Sequence, residues 1–163
     1  LHVNDRIHKT AVLRAPLARV WRAVSDAAEF GAWFGVRFDG PFVAGAALTG
    51  RIQPTTVDPE VAKLQGPHAG TPLQIFVERL EAPRLLSFRW HPFGVQEGAD
   101  TKQEPTTLVV FELTEVAGGT RLDITESGFD RLPPERRGPA FAANEGGWQH
   151  QLGLVARYVE GHA

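Results

Sequence analysis

Residues 106–127, TTLVVFELTEVAGGTRLDITES, constrain the fold more than any other stretch of the chain. Two runs in which roughly every second residue is apolar flank a pair of adjacent glycines. This is the pattern of an antiparallel hairpin with one buried face and a turn that favours positive φ. The spacing predicts strands over 106–115 and 120–127, and the same alternation predicts strands over 73–81 and 85–91, joined by EAPRL. Together they form an antiparallel meander. One residue breaks the pattern: if side chains alternate between faces, Glu126 points with Leu122 and Ile124 toward what should be a packed apolar core.

The ends of the chain follow a helical period instead. DRIHKTAVLRAP reads as a first strand, after which Pro16 sits where a first helical residue tolerates the loss of its amide. Leu17, Val20, Trp21 and Val24 then recur at i, i+3, i+4 and i+7, the spacing of one buried helical face. Asp26 with Glu29 has the form of a capping box, and Phe30, Trp33 and Phe34 continue the apolar face, so two short helices follow the first strand. After Pro133 and Pro134 the stripe Phe141, Trp148, Leu152, Val155 and Val159 predicts a long final helix that docks on the sheet. The class is α+β, with residues 1–163 read as a single domain. Residues 53–72 and 92–105 are long, polar and turn-rich, a length more common in functional flaps than in plain connectors.

Composition narrows the function. A formal net charge of -2 over 163 residues gives no broad electrostatic footprint for nucleic acid, and no apolar run is long enough for membrane insertion. Cysteine is absent, which excludes thiolate ligands and thiol nucleophiles and fits a cytoplasmic location. His68 and His150 stand without His-x-x-x-His or paired-carboxylate spacing, so no metal site is expected. No glycine-rich phosphate loop or nucleophile elbow occurs, and no cofactor is expected. His91, at a strand end before Pro92, either swings to a cavity mouth or, the preferred reading, is an exposed, ordinary histidine.

An unpaired carboxylate in a dry core is costly, so Glu126 either lines a cavity beside a partner or ligand, or reaches solvent or an arginine from the strand end. Trp33, Phe88, Trp90, Phe111, Phe141 and Trp148 are either cavity walls or core packing. Buried Trp90 and Trp148 need an acceptor for the indole N–H, and Glu126 can supply it. Asn144 precedes Trp148 by four residues on the same helix face; its amide either meets a polar ligand group or bonds locally at the Gly146–Gly147 pair. Those two glycines each cost the helix roughly 1 kcal/mol relative to alanine, which close approach of another backbone or space for a ligand would offset.

Trp33 with Phe34, the alternating Leu86, Phe88 and Trp90, the strand VVFEL, the arm GGTRLDITESGF and the closing EGGWQHQLGLVARYVEG occur in a fixed order. In that order the chain resembles, from about residue 6 to residue 161, the family named after the activator of heat-shock protein 90 ATPase. That family lies within the START-like superfamily of lipid-transfer, birch-pollen-allergen-like and polyketide-cyclase proteins; the long 53–72 segment departs from its usual pattern. The resemblance implies a helix-grip fold: a curved antiparallel sheet around a long C-terminal helix, two short helices at one end, and often an internal cavity. The function expected first is binding of a small apolar or amphipathic molecule held by the aromatic walls and oriented by Glu126 and Asn144. Two alternatives stand beside it: a cyclase-like enzyme that moves a proton through Glu126, and a chaperone-ATPase-activating module. The last ranks lowest, because the named activator carries a further domain ahead of the homologous one.

Overall fold

The computed structural model describes residues 6–92 and 105–161. Seven strands form one sheet in the order β1-β7-β6-β5-β4-β3-β2, and every neighbouring pair is antiparallel. The meander occupies the middle: β4 (Pro72–Glu81), β5 (Leu85–Trp90), β6 (Thr107–Val116) and β7 (Gly119–Ser127). These bounds differ from the predicted ones by a residue. β1 (Arg6–Leu13) pairs with β7, and the short β2 (Val36–Phe38) and β3 (Ala47–Ile52) extend the other edge. α4 (Pro134–Gly161) crosses the concave face, giving the helix-grip α+β arrangement.

The glycine pair in the central hairpin has two separate jobs. Gly118 takes φ +87, in the region where a Cβ is strained, and a Cβ on Gly119 would lie 2.0 Å from the Leu13 carbonyl oxygen. The turn therefore lets the end of β1 close against β7. Inside, alternate residues of each strand build the core: Leu122 and Ile124 of β7, Val109, Phe111 and Leu113 of β6, and Leu86 and Phe88 of β5 are all buried.

α1 (Leu17–Ser25) and α2 (Ala27–Phe34) close one end. Leu17, Val20 and Val24 are buried as predicted, while Trp21 stays half-exposed and Ala23 takes the inner position. Asp26 caps α2 by accepting from the Glu29 amide at 3.0 Å. The return half of the capping box is missing, because the Glu29 carboxylate turns to Arg19 and Arg22, both at 2.8 Å, and to the Tyr158 hydroxyl at 3.0 Å. Cations and a phenol from α1 and α4 outcompete one backbone amide.

Segment 53–72 is not a plain loop. It contains α3 (Pro59–Gln65), capped by Asp58, and a 3-10 turn over Gly66–His68. Gln65 donates to the Phe34 carbonyl at 3.0 Å and accepts from the Thr55 amide at 2.7 Å, and Asp58 pairs with Arg157 of α4 at 2.7 Å. A polar sequence reads as a flap, yet these side chains fasten it to α2 and α4. Most of the second long segment, 93–104, lies outside the described residues.

Candidate functional site

Glu126 follows the alternation of β7 inward and has no exposed surface. The sheet register brings its neighbours to it: Val109 of β6 stands opposite, and Thr107, one inward position back along β6, pairs with Trp90 of β5. The Thr107 hydroxyl and the Trp90 indole N–H, at 2.9 Å, donate to Glu126 Oε2. From α4, Trp148 Nε1 donates to Oε1 at 2.8 Å, and Asn144 Nδ2 lies 3.0 Å from both oxygens. Four donors from β5, β6 and α4 thus surround one acid. The indoles and the amide nitrogen can only donate, so they match a carboxylate, which only accepts. No arginine or lysine is among these partners.

The carboxylate sets the aromatic packing. Trp90 and Trp148 both aim their N–H at it, which brings their rings into a stack with centroids 5.5 Å apart. Phe111 meets Trp148 edge-on at 5.7 Å from below, and Phe34 lies 6.0 Å from Trp90 and 6.1 Å from Trp148. These rings pack against one another where an internal cavity was expected. What remains beside them is an open crevice of about 80 Å³ lined by Phe34, Trp90, Asn144, Gly147, Trp148 and Gln151. Beside this crevice the two indoles meet at their shared acceptor.

Of the candidate residues, the structure gathers Trp90, Glu126, Asn144 and Trp148, with Phe111 beneath them. Asn144 Nδ2 reaches Glu126. Trp33 is fully buried among α1 and α2, its indole donating to the Ala23 carbonyl at 2.9 Å, and Phe88 is core at 1% exposure. Phe141 packs on Phe129 at 5.2 Å, away from the crevice. Trp33, Phe88, Phe111 and Phe141 therefore do not line it. A Cβ on Gly146 or Gly147 would meet nothing within 4 Å, so no backbone approach explains the pair, and Gly147 opens onto the crevice. His91 is half-buried, not exposed, with Nδ1 3.3 Å from the Pro105 carbonyl oxygen.

Three contributors escaped the sequence reading: Thr107, Phe34 and Gln151. Thr107 shares the inward parity of Val109 and Phe111, and Gln151 lies three residues beyond Trp148 on the face of Asn144; both signals were present. Gln151 Nε2 donates to the Phe34 carbonyl at 3.1 Å, the same oxygen that Gln65 reaches. Two amides thus satisfy an orphan carbonyl at the end of α2. Among the described residues no cluster of three potential metal ligands occurs, and no helix is long and apolar enough to cross a membrane.

A family model described as activator of Hsp90 ATPase homolog 1-like protein matches residues 14–160. No curated relative matches the sequence. Among similar solved structures, DynU16, from the dynemicin biosynthetic locus, is 27% identical with a TM-score of 0.68, over 96% of this chain and 48% of that one. The chain thus spans about half the length of DynU16. MLL2253 of Mesorhizobium loti is 19% identical with a TM-score of 0.70 over 97% and 98% of the two chains. BPP1335 of Bordetella parapertussis is 24% identical with a TM-score of 0.66 over 100% and 78%. At these identities the last two show the shared fold alone.

Proposed function

The chain belongs to the activator of Hsp90 ATPase homolog 1-like family, and from that premise we propose that it binds a small apolar or amphipathic molecule at the crevice between α4 and the end of β5. The observation that carries this reading is the pairing of a buried, fully hydrogen-bonded acid with an aromatic opening that no side chain among the described residues closes. Glu126 holds Trp90 and Trp148 with a common orientation, so half-buried Trp90, buried Trp148 and Phe34 form a preorganised apolar wall. Gly147 adds no side chain to the lining. A dry cavity of about 150 Å³ holds a benzene, so about 80 Å³ accepts only the end of a ligand, the rest lying along the surface. The likeness to DynU16, a protein of a biosynthetic locus, supports a small-molecule role.

Proton transfer by Glu126 is less well supported, because both oxygens already accept donors and neither is exposed. In the ligand reading the acid positions the walls and does not touch the guest.

Substitution of Gly147 tests the proposal, since open space around it admits a side chain without clash. N-phenyl-1-naphthylamine, a neutral apolar fluorophore, should bind the unaltered protein with enhanced emission, and Gly147→Leu should weaken that binding at least about tenfold while leaving stability equal or higher. Equal binding by both proteins, or none by either, would remove the crevice as the site.

A further inference from the structure

We infer that the crevice selects neutral aromatic molecules bearing a single hydrogen-bond donor, such as a phenolic head, over anions and over rings without a donor. This deepens the ligand reading above and rests on it. Every described side chain that lines the crevice is uncharged, and the Glu126 carboxylate bonds Trp90, Asn144 and Trp148 from behind. An anionic head would surrender water, find no cation among the lining residues and face a negative group behind the wall. Carboxylate and phosphate heads are disfavoured on that ground.

The polar atoms of the crevice narrow the choice further. The two indole N–H groups and the Asn144 amide, which could otherwise recognise an acceptor on a guest, are engaged by Glu126. Gln151 is different. Its Nε2 donates to the Phe34 carbonyl, while its Oε1 is buried and has no partner among the described residues. The orientation of the amide is fixed by that first bond: turned over, it would set two oxygens 3.1 Å apart. Gln151 therefore brings an unmet, solvent-shielded acceptor to the lining, beside two stacked indoles and a phenylalanine. A flat ring supplies contact to these faces, and a hydroxyl at its edge supplies the missing donor.

The test uses the full chain and three ligands of one shape: 2-naphthol, 2-methoxynaphthalene and 2-naphthoate, titrated calorimetrically at a pH where naphthol is neutral. Naphthol should bind about tenfold tighter than either competitor, the effect of one buried hydrogen bond. Gln151→Leu should erase the preference for naphthol over its ether. Equal binding of naphthol and ether to the unaltered protein, or tightest binding of naphthoate, would overturn donor selection and leave the ligand reading intact. Absence of binding by all three would overturn the ligand reading itself. Should Gln151→Leu fail to fold, the three-ligand ranking on the unaltered protein decides the matter alone.

Discussion

Asp123 and Glu126 stand three residues apart on β7 and face opposite sides of the sheet. On the outer face Asp123 accepts from His8 Nε2 and Arg121 Nε, both at 3.0 Å, with a side chain 19% exposed. Partial burial pushes its carboxyl up, but hydrogen bonds from His8, Thr10 and Arg121, with the charge of Arg121, outweigh this and hold it below the ordinary range. On the inner face Glu126 has no exposure, and its partners are two indoles, an amide and a hydroxyl. The difference is in what replaces water. Outside, solvent still does part of the work, so any one partner is dispensable. Inside, the donors are the whole solvation shell, and each is fixed by a different element, so loss of the acceptor strands them all.

Removing each acid in turn is the strongest way to break this comparison. Glu126→Ala leaves two buried indole N–H groups and an amide without an acceptor and opens a void, and should lower stability by about 4 kcal/mol, read from the urea midpoint. A loss below about 1 kcal/mol would mean the core repacks without its acid. Glu126→Gln sharpens the point by keeping the volume while setting an N–H₂ against donors; a loss of about 2 kcal/mol is expected by the same titration. Asp123→Asn should cost less than about 1 kcal/mol near neutral pH.

That small outer effect has a defined pH dependence. The folded-state value of Asp123 lies below the ordinary carboxyl value of 3.8, so its contribution is present above that value and disappears as pH falls through the lower, folded one. The stability gap between the unaltered protein and Asp123→Asn should therefore close on acidification from about pH 5 to about pH 2. A gap that widened would reverse the assigned sign.

How legible each half was follows from the same physics. The period-2 alternation of RLDITES placed Leu122, Ile124 and Glu126 on one face, and the need of a buried indole for an acceptor paired Trp90 and Trp148 with the acid. Both are local rules, and both strands and partners were recoverable from them. Segment 53–72 misled because its anchors, Gln65 on Phe34 and Asp58 on Arg157, are tertiary contacts that leave no periodic trace. Phe141 shares a helical stripe with Trp148 yet packs on Phe129, since a helix as long as α4 meets different neighbours along one face. The size of the opening was the least legible feature. It depends on how far two rings collapse toward a shared oxygen, a distance no residue pattern encodes.

Exchange of the four indole protons with solvent, followed by nitrogen-15 NMR, reads that shared oxygen directly. Trp33, whose indole bonds the Ala23 carbonyl, and half-exposed Trp21 provide internal standards for a buried, bonded N–H and a wetter one. The indole protons of Trp90 and Trp148 should exchange as slowly as that of Trp33, and both should accelerate together in Glu126→Gln while Trp33 is unchanged. Exchange of Trp90 and Trp148 at the rate of Trp21, with no response to the substitution, would contradict the buried acid as the group that organises this site.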